Sequence, residues 1–206
     1  MKKSHVMSGV AAVCLVCSGI LNAAEEAAIS TLKNMQAAFN GESNAKVRYE
    51  AFAAKADEEG YKSVSTLFRA AAKSEGIHAA KHEAAILKGG GQAKATIETL
   101  AVKSTKENLE DALKGEIAEK DKMYPAMIKK AEADKNIPAL YSFKGALAAE
   151  KMHAQYFQKA LNELESWKPA GKEFLVCVIC GYTTMDSKIM KCPVCAAPRE
   201  KFDLVK

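Results

Sequence analysis

The sequence predicts a mainly α-helical protein: a four-helix bundle with one long crossover, followed by a small metal-knuckle domain. Three observations predict it. Long stretches rich in Ala, Leu, Lys and Glu are broken by Gly and Pro at only a few places. A Glu-x-x-His unit occurs twice, as Glu75-Gly76-Ile77-His78 and Glu150-Lys151-Met152-His153, and two Cys-x-x-Cys pairs lie near the end. Hydrophobic residues make up 49% of the 206 and aromatics only 7%, a profile that suits packed helices better than a β-sandwich. That length holds one medium domain and one small one. The net charge of +5 comes without a long Lys/Arg run, so no nucleic-acid partner is expected.

Residues 1–24 read as a secretory leader. Lys2 and Lys3 precede an uncharged, mostly apolar run from Val6 to Leu21, then Asn22-Ala23-Ala24. The run is short for a membrane span, which needs about 20 residues. No twin arginine is present, so an unfolded, exported, periplasmic chain is expected; an uncleaved membrane anchor, or a cytoplasmic protein with an unused leader, is the alternative. Cys14 and Cys17 fall inside this leader and read as small apolar residues rather than a redox pair.

Residues 25–166 form the helical domain. A first helix is expected over about 27–58, with Gly41 as its weak point and Gly60 as its end. A second runs to Lys88, where Gly89-Gly90-Gly91 stops it. A connection of roughly fifteen residues leads to Ser104, which with Glu107 makes a capping box. The third helix runs to about Asp134 with a kink at Pro125, and a turn at Asn136-Ile137-Pro138 starts a fourth that ends near Trp167-Lys168-Pro169. Short, long, short is the loop pattern of a ferritin-like bundle. A linker at 167–171 joins it to the knuckle domain, 172–206.

Side chains three apart on a helix share a face and can grip one ion. Each Glu-x-x-His unit also has a glutamate upstream: Glu42 precedes Glu75 by 33 residues, and Glu116 precedes Glu150 by 34. Two helices giving one Glu each and two giving Glu-x-x-His is the ligand plan of a dinuclear iron or manganese bundle. Glu42, Glu75, His78, Glu116, Glu119, Glu150 and His153 are therefore expected to converge, with Glu75 and Glu150 as bridges. A lone glutamate on such a helix is ordinarily solvated surface, so the case rests on joint spacing. His82 lacks a glutamate three before it and reads as surface. Tyr49 and Tyr124, seven and eight residues after Glu42 and Glu116, read equally as hydrogen-bond donors to those carboxylates or as ordinary packing.

Cys177, Cys180, Cys192 and Cys195 form two pairs that, face to face, make a tetrahedral four-sulfur site for iron or zinc. Iron there is a one-electron relay, whereas zinc is structural.

With these residues in view the chain resembles the rubrerythrins. The matching stretches are Gly41-Glu42-Ser43, Glu75-Gly76-Ile77-His78, Gly115-Glu116-Ile117-Ala118-Glu119, Met123-Tyr124-Pro125, Glu150-Lys151-Met152-His153 and both cysteine pairs. The resemblance implies a hydrogen peroxide reductase in which a di-iron domain is fused to a rubredoxin-like domain. It implies a di-iron centre on Glu42, Glu75, Glu116, Glu119, Glu150 and His153, with the His78 imidazole replacing the Glu119 carboxylate on reduction. Glu119 and His78, with Tyr49 and Tyr124, are thus the expected catalytic residues. The four cysteines are implied to hold one rubredoxin-type iron, which takes electrons from rubredoxin or another donor protein. A head-to-tail homodimer is implied, which sets one subunit's four-sulfur centre near its partner's di-iron site. Two departures stand out: Ala196 where glycine is usual, and the leader itself. A ferroxidase, or a non-enzymatic helical protein with a structural zinc ribbon, is the alternative function.

Overall fold

The computed structural model describes residues 14–206, with side chains from residue 30 onward. Most of the leader, and the side chains of Cys14 and Cys17, lie outside the described residues. Helix α1 (Cys14–Glu58) begins before the expected residue 27, its backbone running through the expected cleavage position. No helix among the described residues is long and apolar enough to cross a membrane. Gly60, at φ +81°, ends it, with Tyr61 N–H returning to Ala56 O at 2.8 Å. Helix α2 (Lys62–Lys88) then runs antiparallel to α1 and stops at the glycine triplet.

The crossover, residues 89–104, has no regular structure of its own, and α1 holds it. Gln36, Asn40 and Asn44 recur every four residues along one helix face. They accept from the backbone N–H groups of Lys94 (3.3 Å), Thr96 (2.7 Å) and Glu98 (2.8 Å), while Asn44 Nδ2 donates to Thr96 O at 2.9 Å. Amide side chains thus satisfy an extended segment that has no sheet to join.

Ser104 and Glu107 form the expected capping box at the start of α3 (Thr105–Ala118). A π-helical turn at Glu119–Met123 immediately precedes the expected kink position, Pro125. Pro125 sits in the first turn of α4 (Tyr124–Ala133), which continues α3 and the π-turn without a break, so its missing N–H falls where the helical bonding pattern changes. The π-turn adds a residue to the helix circumference and re-aims the side chains that follow Glu116. Helix α5 (Ile137–Asn162) is capped by Asn136, whose side chain accepts from Ala139 N, and a short 3-10 turn, Leu164–Trp167, follows it.

Two apolar clusters fill the bundle. One gathers Tyr49, Phe52, Phe68 and Phe157 with Leu109, and the other gathers Met35, Ile86, Tyr124, Met127 and Phe143.

The C-terminal strands β1 (Phe174–Cys177), β2 (Thr183–Thr184) and β3 (Phe202–Val205) form an antiparallel sheet of order β2-β1-β3. The segment before β1 is tied down rather than free. Trp167 is fully buried, Ser63 Oγ donates to Pro169 O at 2.5 Å, and Lys62 N–H donates to Lys168 O at 2.9 Å. This short, anchored segment lays β1 beside α2 of the same chain.

Candidate metal centres

Four helical segments each point a glutamate inward: Glu42 from α1, Glu75 from α2, Glu116 from α3 and Glu150 from α5. All four are at most 1% exposed, as are His78 and His153. Carboxylates in that setting need a counter-charge.

The two bridging candidates straddle the imidazoles. Glu75 places Oε2 2.9 Å from His78 Nδ1 and Oε1 3.1 Å from His153 Nδ1. Glu150 does the same, with Oε1 3.2 Å from His78 and Oε2 2.9 Å from His153. Glu42 lies on the His78 side at 3.7 Å and Glu116 on the His153 side at 3.6 Å. The result is two overlapping ligand sets, Glu42-Glu75-His78-Glu150 and Glu75-Glu116-Glu150-His153, with donor atoms within 4.8 Å of one another.

Apart from the hydrogen bond between His78 Nδ1 and Glu75 Oε2, these contacts are close without being aligned as hydrogen bonds. Glu42 Oε2, Glu75 Oε1, Glu116 Oε2, both oxygens of Glu150 and His153 Nδ1 are buried with no hydrogen-bond partner. Orphaned groups of this kind are rare in folded proteins. Their lone pairs converge on two points that suit a hard-to-borderline divalent pair such as iron. The donor set therefore fits a dinuclear iron centre.

Metal-free, the cluster is electrostatically strained. Burial drives Glu150 and Glu119 well above the ordinary carboxylate range and raises Glu75. Burial works against the charge of His78 and His153, but the surrounding carboxylates outweigh it and raise both imidazoles well above normal. Glu42 ends far below normal because His78 and His82 together overcome its burial.

Glu119 stands outside both ligand sets. It opens the π-turn, half-buried, with His78 occupying the ligand position. The reading of Tyr49 and Tyr124 as either donors or packing resolves as both. Each belongs to one apolar cluster and reaches one carboxylate, Tyr49 OH donating to Glu116 Oε1 at 2.6 Å and Tyr124 OH to Glu42 Oε1. Burial, aided by those carboxylates, pushes both phenols well up, so they stay protonated donors.

His82 corrects the sequence reading. It is fully buried rather than surface, with Nε2 3.1 Å from Tyr124 OH and Nδ1 2.7 Å from Ser142 Oγ. Burial lowers its pKa and keeps it neutral. Its position one turn past His78, on the same face, was the signal available for this.

The four cysteine sulfurs also lie within 4.8 Å of one another, with Cys177–Cys195 at 3.6 Å and Cys180–Cys192 at 3.5 Å. Sulfurs about 2.3 Å from one metal sit about 3.8 Å apart at tetrahedral corners, so little adjustment is needed. The hydrogen bond from Cys180 pulls the Cys177 thiol down to about 5, with Ile179 and Cys180 backbone N–H groups adding to it. One knuckle turns at Gly181, φ +81°, and the other at Ala196, φ +61°. Alanine thus occupies a left-handed position that favours glycine. Ala196→Gly is expected to stabilise the C-terminal domain by about 1 kcal/mol, read by thermal unfolding of the metal-loaded protein.

The knuckles beside the dinuclear site belong to the same chain. Ser74 Oγ donates to Gly181 O at 2.7 Å, Tyr156 OH accepts from Met185 N at 3.0 Å, and Lys73 pairs with Asp203.

A helical bundle with a carboxylate and histidine dinuclear site and an attached four-cysteine knuckle defines a ferritin-like di-iron protein with a second metal centre. The comparisons agree. The rubrerythrin family model matches residues 33–161, and the model of the rubrerythrin rubredoxin-like domain matches 176–203. Nigerythrin of Nitratidesulfovibrio vulgaris is 37% identical over 174 residues, 84% of this chain and 85% of that protein. Rubrerythrin-2 of Clostridium acetobutylicum is 35% identical, covering 82% of this chain and 92% of the relative. The solved fully reduced, all-ferrous nigerythrin superposes with a TM-score of 0.79 at 36% identity, covering 84% of this chain and 86% of that one. Mycobacterium tuberculosis bacterioferritin, at 19% identity and TM-score 0.61 over 66% of this chain and 87% of its own, shares the bundle fold. The chain belongs to the rubrerythrin family, with a di-iron site and a rubredoxin-like four-cysteine site.

Proposed function

We propose that this protein reduces hydrogen peroxide to water at the dinuclear site, using electrons that arrive one at a time through the four-thiolate centre. The balance is H2O2 plus two electrons and two protons giving two waters. The observation that carries the reading is the juxtaposition of the two centres: Gly181, next to the ligand Cys180, packs directly on His78. A ferroxidase needs no inbound relay of this kind.

Bound iron supplies the paired one-electron redox chemistry. The chain's own residues prepare the site for it. Glu75 and Glu150 span both metal positions, while Glu42 and Glu116 close the ends. Tyr124 and Tyr49 hold those end carboxylates by hydrogen bonds and fix their orientation. The phenylalanine cluster on one side and the Met35–Phe143 cluster on the other exclude bulk water. Glu119, placed on the π-turn, would be the carboxylate to replace the His78 imidazole in the oxidised site, where an extra anionic ligand would suit the higher charge.

The donor is a small one-electron carrier such as rubredoxin. An open groove of about 710 Å³ leads to Cys180 and Cys195 between α2 and α5, and it carries Lys81, Lys88, Tyr141 and Ile179. The leader supports export to the periplasm, and a homodimer is the expected assembly; sequencing the N-terminus of the protein from its native compartment tests the first. The function is tested by steady-state peroxide consumption with reduced rubredoxin. Donor oxidised at two electrons per peroxide, with the red four-thiolate chromophore cycling, is the expected result. Peroxide-dependent Fe(II) oxidation without donor turnover would identify an iron-handling protein instead, and a colourless four-cysteine site would identify zinc.

A further inference from the structure

The two metal-site imidazoles share an arrangement that the ligand plan does not require. Each turns Nδ1 toward the carboxylates and Nε2 toward the C-terminal domain. His153 Nε2 lies 3.2 Å from Thr183 Oγ1, and that hydroxyl gives its own hydrogen to Gly181 O at 3.1 Å. Thr183 is thereby left as an acceptor, so the His153 proton sits on Nε2 and Nδ1 presents a lone pair to the metal position. On the other ring, His78 Nε2 faces Ser74 Oγ at 3.5 Å, and Ser74 gives its hydrogen to the same Gly181 O at 2.7 Å. The same logic puts a proton on His78 Nε2, and Nδ1, hydrogen-bonded to Glu75 Oε2 at 2.9 Å in this structure, is the nitrogen left to face the metal position.

One carbonyl therefore orients two hydroxyls, and the two hydroxyls orient two imidazoles. Its residue must be glycine. Gly181 sits at φ +81°, and a Cβ there would collide with His78 Nε2 and reach Ser74 Oγ at 2.9 Å. We propose that Gly181 O, acting through Thr183 and Ser74, is the positioning device that fixes the Nδ1-ligating tautomer of both histidines, so that the C-terminal domain completes the dinuclear metal site. The knuckle domain then does two things at once: it holds the one-electron centre and it finishes the site that receives the electron. Thr183, Ser74 and Gly181 are positioning residues that do not touch the metals. The inference rests on the dinuclear reading of the site and is independent of which oxidant the site reduces.

Thr183→Val keeps the shape and deletes the hydroxyl; Thr183→Ser restores it. Anaerobic titration of the dinuclear site with Co(II), in full-length protein whose four-cysteine site is already loaded, reads the effect without any turnover. Thr183→Val is expected to weaken one of the two Co(II) sites by about 10–100-fold and Thr183→Ser to recover it, with the four-thiolate spectrum unchanged in both. Ser74→Ala is expected to do the same to the other site, which gives a second, independent variant. Equal Co(II) affinity in wild type, Thr183→Val and Ser74→Ala overturns the proposal. The readout uses no peroxide, so loss of the peroxidase reading would leave the result standing.

Discussion

Glu150→Ala is expected to empty both positions of the dinuclear site while the four-thiolate centre keeps its metal. Among the described residues Glu150 is the one carboxylate whose two oxygens are both buried without hydrogen-bond partners, and each faces a different imidazole. Removing it takes a ligand from both metals at once and leaves two cations with less anionic charge between them. The loss of affinity should exceed the roughly 10–100-fold produced by deleting an outer hydrogen bond to a ligand. Metal analysis should show one ion per chain instead of three, and donor-dependent peroxide consumption should fall to background. Retention of three metals per chain would remove Glu150 from the site. Folding should survive, since the metal-free variant has one fewer buried like charge and packs an Ala-rich helix with one more alanine.

The second large effect is the pH dependence of the metal-free protein. Glu75, Glu119 and Glu150 have folded pKa values raised above the ordinary 4.5, and His78 and His153 are raised well above 6.5. A raised group binds its proton more tightly when folded, so its contribution is fully present below the unfolded value. It is lost as pH climbs through the folded value. Glu42, held far below normal, acts oppositely and matters only in strong acid. Stability of the metal-free bundle should therefore fall as pH rises above about 4.5 and fall faster above about 6.5, where the imidazoles also begin to count. With metal bound the trend should reverse, because the ligands must be deprotonated to bind. Thermal unfolding from pH 5 to 9, with and without chelator, checks this. A metal-free protein whose melting temperature rises over that range would contradict the charge balance drawn from the structure.

Much of the site was legible before the fold was known, because its signal is periodic. Residues three apart on a helix share a face in every helix, so each Glu-x-x-His unit was readable alone. The repeat at 33 and 34 residues supplied the other two glutamates. The capping box at Ser104 and the stops at Gly60 and Gly89 are equally local. Three things were not local. His82 carries no partner nearby in sequence; what buries it is Tyr124 on α4 and Ser142 on α5. The π-turn at Glu119–Met123 lies just before Pro125, so the sequence marked the place of the irregularity without giving its form. The extended crossover looked like a loop needing its own explanation, and its partners turned out to be Gln36, Asn40 and Asn44 on α1.

By itself the sequence determined which donor atoms exist and how they are grouped along the chain: five carboxylates and two imidazoles at helical spacing, four thiols in two knuckles. Chemistry of that kind follows from residue type and short-range geometry, and neither depends on how helices pack. Only the tertiary structure decided that Glu75 and Glu150 each face both imidazoles, that His78 rather than Glu119 sits in the ligand set, and that one carbonyl of the knuckle domain reaches two hydroxyls beside the metal site. Those relations join residues up to 107 apart, as between Ser74 and Gly181. They are set by packing in three dimensions, which no run of neighbouring residues encodes.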